Sequence, residues 1–198
     1  VTVSGLTSEN YKITCLSGTL TVNKKSVTIT IEDKTIIYGD EAPTSYSYKI
    51  KDTLTGEDIS TDEFTAINSE IDFACSYEKG YPAGDYTVTA TCNNDNYTLN
   101  VTHAVTLTVS PKTVTVTTKE KSITYGDETP TFTSDDLICD GLISGDTLGT
   151  PAFDYDGYEK GSSAKTYTVT VSGLANGNYN IVYTPGNLIV NKYGLRLT

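Results

Sequence analysis

The chain has 198 residues and a formal net charge of −11, from 25 acidic against 14 basic side chains. That balance argues against a nucleic-acid partner and against an anionic membrane surface, both of which select lysine and arginine. Thr, Val, Ile and Tyr punctuated by Gly, Asn and Asp dominate over helix formers at amphipathic spacing, so the expected class is all-β.

Residues 1–24 read VTVSGLTSENYKITCLSGTLTVNK. Val1 and Val3, then Tyr11, Ile13 and Cys15, then Leu20 and Val22 alternate with polar residues around two glycine-bearing turns, predicting three short strands. The chain then passes without a Pro/Gly-rich linker into Val27, Ile29 and Ile31, a polar turn, and Ile36, Ile37 and Tyr38 before Gly39-Asp40 and Pro43. Residues 44–68 are the least regular part, with one alternating piece at Tyr46, Tyr48 and Ile50. Strand signals return at 71–77 and 86–92 around a turn at 80–85, and again at 97–101 and 105–109.

The same scheme starts afresh at Val114. VTITIEDKTIIYGDEAP, beginning at Val27, corresponds to VTVTTKEKSITYGDETP, beginning at Val114, and the opening segment corresponds to VTVSGLANGNYNIVYTPGNLIVNK, beginning at Val169. Repeats of this length define the frame. Residues 1–24 are expected to be the C-terminal part of a preceding repeat, able to pack with the following module. Residues 25–111 form the first complete module, 112–192 the second, and 193–198 the first strand of a further one. Val114 follows Val27 by 87 residues and Leu195 follows Val114 by 81; the difference is expected between Pro43 and Ile71 on one side and Pro130 and Phe153 on the other. Seven or so short strands per module favour an immunoglobulin-like sandwich, with a β-grasp-like sheet as the alternative. Strands at 1–24 and 193–198 stripped of partners would pair elsewhere, either with 27–50 in one folded unit or head to tail between molecules.

Tyr125-Gly126-Asp127 with Pro130, Gly141-Leu142 with Gly145-Asp146-Thr147-Leu148, Gly173-Leu174, Asn178-Tyr179 and Gly186 with Leu188 and Val190 carry a family likeness. Together they resemble the MBG (mostly β, glycine-rich) repeat, found in tandem in large bacterial surface proteins, including filamentous-haemagglutinin-like adhesins. The first module matches at Tyr38-Gly39-Asp40, Pro43, Gly84-Asp85-Tyr86 and Asn96-Tyr97 and departs at 52–58. The resemblance implies an extracellular location, at the bacterial cell surface or secreted, and no catalytic residues. It also makes Asn23 and Asn191 candidates for intramolecular isopeptide bonds with lysine, although Ser110 occupies the equivalent place in the middle module.

The residues themselves offer little chemistry. His103, alone of its kind, cannot build a triad or a histidine metal cluster. Asp135-Asp136 and Asp62-Glu63 are adjacent carboxylates with nothing to mark them as buried. Asp154-Tyr155-Asp156-Gly157 has an acidic turn but lacks the EF-hand spacing and its final Glu. Catalytic, cofactor and metal residues are therefore each expected to be none, and the protein no enzyme. Of Cys15, Cys75, Cys92 and Cys139, only Cys75 and Cys92 make a plausible disulfide. Pairing Tyr77 with Tyr86 would set Cys75 opposite Val88 and leave free thiols. Tyr38 and Tyr125 are expected at equivalent core positions.

No run of residues is apolar enough to span a bilayer and no signal segment follows Val1, so no direct membrane insertion is expected. The reading is a non-catalytic tandem repeat of a bacterial surface protein, acting as a semi-rigid stalk or adhesin segment whose partners are neighbouring repeats of the same chain. The alternative is a module binding host glycan or protein, against which the absence of tryptophan weighs.

Overall fold

The computed structural model describes residues 1–102 and 104–196. Among the described residues it is all-β apart from one short α-helix and a single 3-10 turn at Ser134–Asp136. The first repeat contributes β1 (Lys25–Ile31), β2 (Lys34–Ile37), β3 (Tyr48–Asp52), α1 (Thr61–Asn68), β4 (Ile71–Cys75), β5 (Gly84–Cys92), β6 (Tyr97–Val101) and β7 (Val105–Ser110). The second contributes β8 (Lys112–Thr118), β9 (Lys121–Thr124), β10 (Leu137–Asp140), β11 (Ala152–Asp154), β12 (Thr166–Ser172), β13 (Tyr179–Thr184) and β14 (Gly186–Asn191).

The two repeats share one topology. Sheet order β3-β1-β6 in the first matches β10-β8-β13 in the second, and β2-β7-β5-β4 matches β9-β14-β12-β11. In both, the opening strand lies parallel to the sixth and antiparallel to the third, and the second lies parallel to the seventh. Period-two alternation gives β1, β7, β8, β12 and β14 one buried face each, which fixes their register, because a slip of one residue would turn that face to water. β12 shows this plainly, with Tyr167, Val169 and Val171 buried and their neighbours exposed.

The chain divides into two compact units that cut across the repeat frame: residues 1–32, 45–74 and 89–104 form one, and 33–44, 75–88 and 105–198 the other. In the first, β1 buries Val27, Ile29 and Ile31, and Tyr46, Ile50 and Ile67 complete its buried apolar residues. Helix α1 lies inside the irregular stretch 44–68, where the longer period was expected to find its extra residues. Ser60 and Glu63 close a reciprocal capping box at its start, satisfying two of the orphan N–H groups of the first turn. Glu63 also pairs with Lys25 at 2.6 Å, and Lys25 reaches Asp52 at 3.1 Å.

In the second unit, Phe132, Tyr158, Tyr167, Val169, Leu188 and Val190 form one core cluster, with Ile123, Phe153, Tyr155 and Ala164 against it. Lys121 extends over the Phe132 ring, 4.6 Å from its centroid, to reach Asp136 at 2.8 Å. Two aromatic corners repeat: Tyr77 meets Tyr86 with centroids 5.1 Å apart, and Tyr158 meets Tyr167 at 5.0 Å, both edge to face. Each is flanked by an equivalent ion pair, Lys79 with Glu41 and Lys160 with Glu128.

Two strand expectations fail. Residues 1–24 contain no strand, and Val1, Val3, Tyr11, Ile13, Leu20 and Val22 are exposed. Their counterparts in the second repeat, β12 to β14, form ladders with β8, β9 and β11, and residues 1–24 meet no such strands; short strands without ladder partners are not stable in water. Cys15, in the same alternating segment, is exposed for the same reason. Residues 193–196 are likewise not strand, while Leu197 and Thr198 lie outside the described residues.

Candidate functional site: the Tyr-Gly-Asp turns

Each repeat's second strand ends in a Tyr-Gly-Asp turn of identical construction. After β2, the Ile37 N–H donates to Asp40 Oδ2 (3.0 Å), the Asp40 N–H to the Ile37 carbonyl (3.0 Å) and the Tyr38 N–H to the Ser110 carbonyl (2.9 Å). After β9, the Thr124 N–H donates to Asp127 Oδ2 (2.7 Å), the Asp127 N–H to the Thr124 carbonyl (3.0 Å) and the Tyr125 N–H to the Asn191 carbonyl (2.8 Å). Gly39 and Gly126 take φ of +92° and +97°, the left-handed region that costs a residue with a Cβ.

The two turns differ in what covers them. Tyr38 is 6% exposed and Tyr125 is 46% exposed. This corrects the expectation that both fill equivalent core positions, because residues of the second repeat close over Tyr38 and nothing equivalent closes over Tyr125. The Tyr38 hydroxyl donates to Asp146 Oδ2 at 3.0 Å, and the Tyr179 hydroxyl donates to the same oxygen at 2.5 Å. Tyr179 accepts from the Ile143 N–H at 3.1 Å, so its hydroxyl links a backbone donor to a carboxylate. The Ile143 side chain sits directly over Gly39; a Cβ there would come within 2.4 Å of its Cδ1. Asn178 completes the junction by accepting the Ala83 N–H at 2.8 Å.

Burial, and secondarily the hydrogen bond to Asp146, pushes the Tyr179 hydroxyl up to about 12 and raises Tyr38 in the same direction. Both phenols are held neutral, as donors, where a charge-assisted bond to a carboxylate is stronger than a neutral one. This arrangement joins the two repeats.

The other sequence candidates are spread through the fold. Asp136 is bonded to Lys121, which holds its carboxyl below the usual range, and to the Thr133 N–H. Glu63 belongs to the α1 cap and Asp62 to its first turn. Asp154 Oδ1 accepts the N–H of Asp156, whose φ is +55°, so this acidic piece is a local turn. The Asn191 amide donates to Ser122 Oγ (2.6 Å) and to the Ile123 carbonyl (3.2 Å), and Asn23 lies in the exposed 1–24 segment. His103 lies outside the described residues. Among the described residues no three His, Cys, Asp or Glu side chains gather as metal ligands.

All four cysteines are free thiols. The Ser76 N–H bonds the Thr87 carbonyl, which keeps Tyr77 beside Tyr86 and leaves Cys75 next to Val88, as the hairpin reading required.

The sequence reading singled out Gly145-Asp146 and Asn178-Tyr179 as motifs but not as one side of a contact. The available signal was that they recur together with the Tyr-Gly turn. A family model described as the MBG domain (YGX type) matches residues 27–108 and again residues 114–189. No curated protein matches the chain.

Proposed function

Since the chain belongs to the MBG domain (YGX type) family, a repeat module of surface proteins, we propose that it serves as a non-catalytic, semi-rigid stalk or adhesin segment of a bacterial surface protein, with neighbouring repeats as its partners. The observation that carries this reading is the Tyr38–Asp146–Tyr179 junction. Two hydroxyls from different repeats converge on one carboxylate oxygen, and the strands on either side, β7 and β8, are separated only by Pro111. A proline at that point fixes φ and removes a backbone donor, limiting hinge freedom between them.

Backbone relaxation measurements on the whole chain test the stalk. Amides of β2 and of β12, which come from different repeats, should report the same tumbling time, and independent tumbling of the two would sink the semi-rigid reading. Saturable binding on a glycan array or to a purified host protein would favour the alternative of a ligand-binding module.

A further inference from the structure

Both repeats build the same asparagine turn just before their sixth strand. In the first, Asn94 Oδ1 accepts the Asn96 N–H at 3.0 Å, Asn94 Nδ2 donates to the Ala66 carbonyl at 3.1 Å and the Tyr97 N–H donates to the Asn94 carbonyl at 3.3 Å. In the second, Asn176 Oδ1 accepts the Asn178 N–H at 3.0 Å, Asn176 Nδ2 donates to the Thr147 carbonyl at 2.8 Å and the Tyr179 N–H donates to the Asn176 carbonyl at 3.0 Å. The turns differ in the residue that follows the asparagine, Asp95 in one and Gly177 in the other.

That difference falls on an atom that can react. A side-chain oxygen bonded to the N–H two residues on folds the asparagine back over its own chain, which brings its Cγ towards the intervening backbone nitrogen. In the second repeat that nitrogen belongs to an exposed glycine with no side chain to crowd its approach. Among the described residues, the Gly177 N–H has no acceptor. The Asn178 N–H is aimed at the oxygen on which negative charge develops during attack, as donors are in sites that stabilise an oxyanion. The Asn176 amide is thus an electrophile held in place, polarised, and set beside an unhindered nucleophile.

We propose that Asn176-Gly177 is a site of spontaneous deamidation in the folded chain, and that the conversion loosens the Tyr38–Asp146–Tyr179 junction. The Gly177 nitrogen bonds to Asn176 Cγ, its proton passes through solvent to Nδ2, and the Cγ–Nδ2 bond breaks to release ammonia, leaving a succinimide ring. One water then opens the ring, at Cγ to give aspartate or at the main-chain carbonyl to give isoaspartate. Nothing is oxidised or reduced. Either product replaces the Nδ2 donor by a carboxylate oxygen, which has no hydrogen to give the Thr147 carbonyl. Thr147 follows Asp146, the acceptor of both junction hydroxyls, and Asn178, which holds the Ala83 N–H, follows Gly177. Separating Thr147 from residue 176 therefore pulls on both halves of the junction.

The test follows the full chain at neutral pH by peptide mass mapping, with enzymatic methylation of isoaspartate to identify the product. Asn176 should gain about 1 dalton while Asn94 does not. Gly177→Asp gives the second turn the sequence of the first; Gly177 has no left-handed φ and an added Cβ would meet nothing within 4 Å, so the variant keeps the turn. It should slow the gain about tenfold or more, because the nucleophile is then crowded and displaced. The Ala83 and Ile143 amides should shift in step with the conversion. A gain no faster at Asn176 than at Asn94, one unchanged by Gly177→Asp, or one that needs the chain unfolded in urea overturns the site. Conversion that leaves the Ala83 and Ile143 amides in place overturns its link to the junction.

Discussion

Tyr38 and Tyr179 come from different repeats and meet edge to face, ring centroids 5.5 Å apart at 76°, while both hydroxyls donate to Asp146 Oδ2. An edge-to-face pair of this kind contributes beyond its buried area, and the shared acceptor ties its orientation to one carboxylate. Removing the Tyr38 ring therefore empties a site built by two repeats. Tyr38→Ala is expected to cost about 3–5 kcal/mol, as buried aromatic truncations do. Tyr125→Ala, in the same turn but half exposed, should cost less than about 1 kcal/mol. Urea titration of both variants checks the contrast, and equal losses would mean that the junction does not bury Tyr38.

The glycines beside these tyrosines separate backbone strain from packing. Gly39→Ala and Gly126→Ala each force a Cβ into the left-handed region, at about 1–2 kcal/mol. Only Gly39→Ala also collides with Ile143 Cδ1, at 2.4 Å. Because the colliding atom ends a flexible side chain, the surcharge is expected near the low end of overpacking costs, about 1 kcal/mol. Thermal or urea unfolding of the pair measures that difference directly.

Alkaline pH should loosen the junction. Tyr179 is raised to about 12, by burial first and the Asp146 hydrogen bond second, and Tyr38 is raised for the same two reasons. The folded chain thus keeps these protons longer than the unfolded chain, whose tyrosines titrate near about 10. Their contribution is whole below about pH 10 and declines as pH rises from there towards about 12. Tyrosinate absorbance followed beside urea midpoints should show this decline, and Asp146→Asn, which removes one of the causes that raise both folded values, should make it smaller.

Acid acts at the other unit. The Lys25 hydrogen bond depresses Glu63 most, whereas Asp52 is depressed first by the Thr55 N–H and then by Lys25. Carboxyls with depressed folded values contribute stability above about pH 4, and that contribution is lost as pH falls through the folded values. Lys25→Met should flatten the Glu63 part of the acid limb and leave much of the Asp52 part, because the Thr55 N–H remains. Urea midpoints between neutral and acid pH resolve the two.

Much of the fold is legible in the sequence because period-two alternation and turn residues are local signals. Most strands of both repeats, the Tyr77–Tyr86 hairpin register and the two Tyr-Gly-Asp turns could be read from residues close in the chain, whereas β10 and β11, of four and three residues, are too short to show an alternation of their own. Helix α1 was not read, although Ser60 and Glu63 have capping-box spacing, because the turn-prone residues before it made the whole stretch look irregular. What could not be read is non-local. Tyr38 and Tyr125 occupy identical local sequence, and only the arrival of Ile143, Asp146 and Tyr179 at one of them separates buried from exposed. Residues 1–24 carry strand periodicity as clear as that of β12 to β14, yet alternation specifies a face and not the partner that must hydrogen-bond beside it.

The parallel pairing of second and last strands has a mechanical consequence. Leu188 to Asn191 run alongside Lys121 to Thr124 in the same direction, so tension applied at Asn191 slides β14 lengthwise along β9. Load is then shared by every bond of that ladder at once, in shear, whereas an antiparallel hairpin pulled from its open end unzips one bond at a time. Lys112, pulled the other way, meets the same geometry in β8 against β13. A repeat stretched through these two points in a force-extension experiment should yield in a single high-force event, and Asn191, whose side chain clasps Ser122 across the strands, sits at the end that has to slip first.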